Sequence, residues 1–161
     1  MASESFVNLF GDEWDVDRDR PGWQWKRLHV GDRLGAELIG AGLYELAPGQ
    51  KTFPYHWHYA QEEMLIVLRG EPTLRDPSGE RRLEPGDCVV FKRGPEGAHV
   101  LRNDTDEPCR LLLLSSESDL EVAVYPDSGK VAAFGKGFAD GDRLRLIVRE
   151  DSAVDYFDGE E

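Results

Sequence analysis

The sequence predicts a single all-β domain, an antiparallel barrel or sandwich. At 161 residues the chain has the usual size of one domain. Its 17 glycines and nine prolines recur at short intervals and leave little room for a long helix. Between them lie short segments rich in Val, Leu, Tyr, Phe and Trp, the composition of strands in sandwiches and barrels.

The strand candidates follow one another at regular spacing. We expect strands at Trp23–Val30, Ala36–Leu46, Lys51–His58, Glu63–Leu68, Thr73–Arg75, Arg81–Leu83, Cys88–Lys92, His99–Arg102, Arg110–Ser115 and Leu120–Tyr125. Turn signals such as Pro48-Gly49 and Pro85-Gly86-Asp87 separate them. After a Gly-rich connection at 135–141, Leu144, Leu146 and Val148 alternate with other residues and predict one late strand.

Both ends of the chain differ from the middle. The first 22 residues are acidic and weakly patterned, and the last twelve carry six carboxylates. We therefore expect an irregular, solvated N-terminal arm at 1–22, a barrel at 23–125, and an irregular C-terminal extension at 126–161 that packs on or beside the barrel.

Charge and hydropathy exclude several classes of partner. Thirty-two Asp and Glu against 19 Lys and Arg give a formal charge of −13, which disfavours nucleic acid and anionic membranes. The longest purely apolar run, Leu111–Leu114, is far too short to cross a bilayer. The N-terminus lacks the layout of a secretory signal, so we expect a cytoplasmic protein. Cys88 and Cys109 are expected to be reduced and mostly buried.

The histidines carry the strongest functional signal. His56 and His58 are two apart, so on an extended strand both imidazoles would lie on one face and Trp57 on the other. A hairpin could bring Glu63 back to them, and a closed barrel could add His99. Three imidazoles and one carboxylate suit a divalent transition metal and leave positions for water or substrate. The alternative is a pair of surface histidines on an edge strand and an unrelated third.

The spacing around these residues resembles the first signature motif of the cupin superfamily. Gly49 is followed after six residues by His56-x-His58, after four more by Glu63, and after six more by Gly70. The superfamily motif has five residues before the first histidine, and the other spacings agree. Gly86–Phe91 followed by His99-x3-Asn103 resembles the second motif, with Lys92 at its usual proline and the histidine two residues late.

The resemblance implies a double-stranded β-helix, or jelly-roll barrel, that holds a metal inside one mouth. By position the metal ligands would be His56, His58, Glu63 and His99, with Glu62 as the alternative carboxylate. The metal would be one divalent transition ion, Fe, Zn, Mn or Ni. Since only neutral imidazoles bind metal, affinity should fall as the pH drops through about 6.5.

The resemblance also implies a function class. We expect a metal-binding protein acting on a small organic molecule, by oxygen activation or as an isomerase, cyclase or decarboxylase. The alternatives are a non-catalytic module that binds or senses a small molecule and a purely structural metal site. Superfamily members often form homodimers, so a homodimer is expected. The segments Tyr125–Lys130 and Val154–Glu160 resemble those of one bacterial cupin group, which implies no activity.

Two further features carry less specific expectations. Lys130 and the turn before it could hold an anion, although Pro-Asp-Ser-Gly is also an ordinary turn. A group of aromatic residues near the motifs could line an apolar substrate pocket or simply pack in the core or at a dimer contact. These residues are Trp23, Trp25, Phe53, Tyr55, Trp57, Tyr59 and Phe91. Of these, we expect Trp57 to lie outside the metal cavity.

Overall fold

The computed structural model describes residues 4–136 and 143–160. Within them the chain forms thirteen β-strands and one short α-helix. The strands are β1 (Val16–Arg18), β2 (Trp25–Leu28), β3 (Ile39–Leu46), β4 (Trp57–His58), β5 (Glu63–Arg69), β6 (Thr73–Asp76), β7 (Gly79–Arg82), β8 (Cys88–Phe91), β9 (Val100–Arg102), β10 (Cys109–Ser116), β11 (Leu120–Tyr125), β12 (Lys130–Gly135) and β13 (Leu144–Arg149), and α1 is Val30–Leu34.

The strands pair antiparallel in three sheets. The largest sheet has the order β1-β2-β3-β10-β5-β8, the second β13-β12-β11-β4, and the third β7-β6-β9. Consecutive strands are often not neighbours: β10, for example, lies between β3 and β5. This nearly all-β, antiparallel arrangement confirms the predicted fold class and is consistent with a jelly-roll barrel.

The core lies between the sheets because the strands alternate apolar and polar residues. On β5, Leu65 and Val67 are fully buried and share their face with Glu63. On β10, Leu111 and Leu113 pack from the next strand. The alternation that builds the core therefore also turns Glu63 toward the interior.

The N-terminal arm contains one short strand and packs partly against the barrel. Val16–Arg18 pairs with β2, and Val7, Leu9 and Trp14 pack against a buried cluster around Leu28 and Leu43. Buried Arg110 fixes this packing: its guanidinium donates to the backbone oxygens of Leu9 and Gly11 and forms an ion pair with Glu45 at 2.6 Å.

Other strand predictions need smaller corrections. The strand expected over Lys51–His58 is reduced to β4 and single bridges at Lys51 and His56, and Pro54 within it has no N–H to donate to a ladder. The helix α1 and the strand β12 were not predicted. The late strand is present as β13, whereas residues 137–141 of the Gly-rich connection lie outside the described residues.

Two expectations drawn from composition have structural counterparts. In the described part of the chain, no helix is both long and apolar enough to cross a membrane. Both cysteines are free thiols, as expected, but only Cys109 is buried, and Cys88 at the start of β8 is exposed.

Candidate metal centre

The histidine pair lies where the second sheet meets the segment before β9. His58 belongs to β4, and His56 just before it forms an antiparallel bridge with His99. In this bridge the His56 N–H donates to the His99 carbonyl at 3.2 Å, and the His99 N–H donates back at 2.9 Å. The backbone thus fixes these two histidines against each other although they are 43 positions apart in the sequence.

Glu63 completes the group from the first residue of β5. One of its carboxylate oxygens, Oε2, lies 3.3 Å from the Nε2 atom of His58 and 3.3 Å from that of His99. The ring of His56 is 4.8 Å, between centroids, from the rings of His58 and His99. All four residues proposed from the motif spacing therefore converge, whereas Glu62 is exposed.

Backbone carbonyls set the orientation of two of the imidazoles. The Nδ1 of His56 lies 2.8 Å from the carbonyl oxygen of Pro54, and the Nδ1 of His99 lies 2.9 Å from that of Gly97. Since a carbonyl oxygen only accepts, each Nδ1 carries the proton and each Nε2 keeps a free lone pair. The ring of Phe91 stacks on the imidazole of His99, with 3.6 Å between the ring centroids, and holds it in place.

The third imidazole faces Glu121, a residue that the sequence did not single out. Its carboxylate Oε1 is 3.4 Å from the Nδ1 of His58 and accepts the N–H of Tyr59 at 3.0 Å. Glu121 is on β11, which pairs with β4, and is 6% exposed. A carboxylate on the far nitrogen of a ligand histidine is a common second contact of metal sites.

Burial and mutual contacts give these groups different protonation preferences. Burial lowers the pKa of His56 to about 3, and the neighbouring His99 and His58 contribute in the same direction. Burial alone would also lower the pKa of His58, but Glu63 outweighs it and raises that pKa above its usual value. Burial opposes charge on Glu63 as well, yet contact with His58 and His99 holds its pKa well below the usual range.

The donor atoms fit a metal ion. Both ring nitrogens of His58 and the Oε2 of Glu63 are buried without a hydrogen bond in the described structure. One ligand atom from each of His56, His58 and Glu63 lies within 4.8 Å of the others. Metal bonds of about 2.1 Å place neighbouring donors about 3.0–3.5 Å apart, which matches the 3.3 Å contacts of Glu63.

The four residues line an open cavity of about 690 Å³. Its aromatic walls come from Tyr44, Phe53, Tyr125 and Phe134. Of the aromatic group expected near the motifs, only Phe53 lines this cavity, while Trp25 and Phe91 pack in the core. Trp57 is outside it, as predicted, with its ring 4.6 Å from that of Tyr59.

The segment around Lys130 behaves as a turn. Pro126–Ser128 forms a single 3-10 turn, Gly129 follows it in the left-handed conformation, and β12 then begins. Asp127 pairs with Arg75 at 2.6 Å, and the Lys130 ammonium lies 5.4 Å from the centre of the Tyr125 ring. These contacts favour the ordinary turn over an anion site.

Comparison with known proteins connects this arrangement to one family. Residues 42–115 match the family model of the Cupin domain. One similar protein of known structure is a sugar phosphate isomerase of the cupin superfamily from Silicibacter pomeroyi, whose sequence is 31% identical to this chain. The structural match covers 80% of this chain and 78% of that one, with a TM-score of 0.71. A structure from Acidithiobacillus ferrooxidans is 27% identical, covering 88% and 86%, with a TM-score of 0.73.

One curated protein is also similar. The dimethylsulfoniopropionate lyase DddQ of Ruegeria pomeroyi is 32% identical over 127 residues, which is 65% of this chain. The match spans 61% of the length of the lyase.

Proposed function

Because the chain belongs to the cupin superfamily, we propose that its four-residue centre binds one divalent transition metal and acts as an isomerase or lyase on a small organic molecule. The observation that carries this proposal is the convergence of His56, His58, Glu63 and His99 at the wall of an open cavity. Two relatives about 30% identical, named as a sugar phosphate isomerase and a lyase, support the reaction class.

Each residue has a role in this proposal. His56, His58 and His99 hold the metal through Nε2, and Glu63 holds it through a carboxylate oxygen while lowering the net charge of the centre. The bound metal would act as a Lewis acid that stabilises negative charge on a substrate oxygen. Glu121 keeps the proton of His58 on Nδ1, which leaves Nε2 free for the metal.

The cavity walls determine what can reach the centre. Tyr44 is 4% exposed, and burial raises the pKa of its hydroxyl to about 12, so it is a neutral group at physiological pH. Phe53 lies beside it, 6.1 Å between ring centroids from His56. This wall excludes water from one side of the centre and strengthens electrostatic interactions there.

Elemental analysis of protein purified without chelator tests the metal centre. We expect close to one metal atom per chain in the wild type and a loss of metal in His56→Ala/His58→Ala. His29→Ala is the matched control, because His29 lines the cavity but is paired with Asp15 at 3.7 Å. Full occupancy in the double variant, or no metal in the wild type after reconstitution, would refute the centre.

The identity of the metal and a product assay separate the remaining functions. Zn, Mn or Ni together with metal-dependent turnover of a phosphorylated sugar or a sulfonium carboxylate would support the isomerase or lyase. Stoichiometric iron with oxygen consumption would point to a dioxygenase instead. Ligand binding without turnover would point to a sensing module. The homodimer and the cytoplasmic location stay predictions, tested by light scattering and cell fractionation.

A further inference from the structure

One wall of the cavity carries an arginine that the proposed metal centre does not use. Arg27 is on β2, opposite Tyr44 on β3. Trp25 lies two residues earlier, on the same face of β2, and packs in the core. The side chain of Arg27 is therefore on the inward face as well, where it lines the cavity. Its guanidinium carbon lies 5.3 Å from the centre of the Tyr44 ring.

Arg27 has no carboxylate partner in residues 4–136 and 143–160, and its Nε is buried without a hydrogen bond there. Two other arginines at this cavity, Arg143 and Arg145, are exposed, and Lys136 lies 3.6 Å from carboxylates of Glu117 and Asp119. In a chain with 32 acidic residues, a guanidinium that faces a cavity without a carboxylate partner among the described residues calls for an explanation.

The sheet leaves room for this side chain at Gly42. A Cβ at Gly42 would lie 2.8 Å from a ring carbon of Tyr44 and 3.3 Å from the Nε of Arg27. Any larger residue would therefore displace the ring or the guanidinium. The absence of a side chain lets Arg27 lie along the wall in one position, which reduces the entropy lost when it binds a ligand.

We propose that Arg27 binds the anionic end, a phosphate or a carboxylate, of the small molecule whose other end reaches the metal centre. This inference rests on the proposed function and names the substrate class of the same site. The planar guanidinium matches the geometry of both oxyanions. Tyr44 and Phe53, with ring centroids 5.5 Å apart, form the wall between Arg27 and the histidines, so the ligand spans them.

Three probes test the proposal by calorimetric titration of the protein as purified: glycerol 3-phosphate, lactate and glycerol. We expect at least one of the two anionic probes to bind more tightly than glycerol. Arg27→Gln should raise the Kd of the preferred anion by about tenfold or more, because a charge-assisted hydrogen bond contributes on this scale. Arg27→Lys should raise it by less. The stronger of the two anions distinguishes a phosphate ligand from a carboxylate.

Arg18→Gln is the matched control. Arg18 also lies over an aromatic ring, 4.6 Å from the centre of Trp25 on the neighbouring strand, but it does not line this cavity. The Arg18→Gln variant should bind each probe with a Kd within about twofold of the wild-type value. Equal binding by wild type and Arg27→Gln, or no preference of the wild type for either anion over glycerol, would overturn the proposal.

Metal content measured on the same samples separates this proposal from the metal centre. Arg27→Gln should keep its metal, because Arg27 contacts none of the four residues of the centre. A wild type without metal would refute the proposed function, whereas a wild type that holds metal but does not prefer the anions to glycerol would refute only the role of Arg27. If Arg27→Gln fails to fold, Gly42→Ala crowds the same guanidinium and should weaken anion binding in the same direction.

Discussion

At the scale of single residues, Glu121 lies against the ring nitrogen of His58 that points away from Glu63. Its carboxylate faces the Nδ1 of His58 at 3.4 Å and is itself held by the N–H groups of Tyr59 and Ala60. The imidazole therefore cannot rotate without losing this contact. The carboxylate also favours the tautomer that leaves Nε2 free on the side of Glu63.

Glu121→Gln should weaken metal binding by about 10- to 100-fold, because the amide no longer stabilises the proton on Nδ1. Competition with a chromophoric chelator measures this change. Glu117→Gln is the control, since Glu117 lines the same cavity and pairs with Lys136 instead of a histidine. Unchanged affinity in Glu121→Gln, with thermal stability preserved, would contradict the positioning role.

Asp15 makes the N-terminal arm sensitive to acid. The hydrogen bond from Arg33 to its carboxylate, 2.7 Å long, holds the pKa of Asp15 below its usual value, with a smaller effect in the same direction from the N–H of His29. A folded-state pKa lower than the unfolded value gives stability that is present above about pH 4 and lost as the pH falls through the lowered pKa.

Asp15→Asn should therefore destabilise the protein near neutral pH, and its difference from the wild type should shrink below about pH 4. Urea unfolding between pH 7 and pH 3.5 measures this difference. Asp17→Asn, at an exposed position on β1, is the control and should follow the wild type throughout. A difference that grows on acidification would show that Asp15 does not act through its charge.

The sequence singled out the four residues proposed for the centre but not Glu121 or Arg27, which line the same cavity. His56, His58, Glu63 and His99 stand at recognisable spacings, so a local pattern suffices to select them. Glu121 and Arg27 have no local pattern. Strand register places both residues. Glu121 lies two residues before Ala123, which pairs with His58, and Arg27 pairs with Tyr44. Register between strands distant in sequence cannot be deduced from spacing alone.

At the scale of elements, the turn before His99 sets the position of that imidazole. Pro95–Gly97 forms a 3-10 turn, and the carbonyl of Gly97 accepts the Nδ1–H of His99. A Cβ at Gly97 would lie only 1.7 Å from the carbonyl oxygen of Lys92, which is backbone and has little freedom to move. The turn can therefore close this tightly only with glycine.

Gly97→Ala should lower the melting temperature by about 2–12 °C, the range given by a typical overpacking cost for a chain of this size. It should also weaken metal binding, because His99 moves with the turn. Glu96→Ala, exposed in the same turn, is the control. Calorimetric melting and chelator competition measure both effects, and a variant that matches the wild type in both would refute this account of the turn.

Two of the elements that the sequence failed to predict, β1 and β12, share a physical cause. Both carry charged or small residues, and each forms because a neighbouring strand offers a ladder to pair with: β2 for the first and β11 for the second. Such pairing depends on tertiary context more than on composition. The division at residues 22 and 125 stays a prediction; β1 pairs across the first of these positions and β12 across the second.

At the scale of the whole molecule, the four residues of the proposed centre come from different sheets. His58 lies in the sheet of β11 and β12, Glu63 in the six-stranded sheet, and His99 directly before β9 of the third sheet. A metal held by all of them would link the three sheets at one point. Since the unfolded chain does not hold these residues together, metal binding would favour the folded state.

Addition of metal to the chelated protein should therefore raise its melting temperature. At a free metal concentration of about 1,000 times Kd, the stabilisation is about 4 kcal/mol, or roughly 8–16 °C for a chain of this size. The His56→Ala/His58→Ala variant should melt at the same temperature with and without metal, which separates this effect from ions bound elsewhere on an acidic surface. A wild type whose melting temperature does not depend on metal would mean that the four residues do not join the sheets through a common ion.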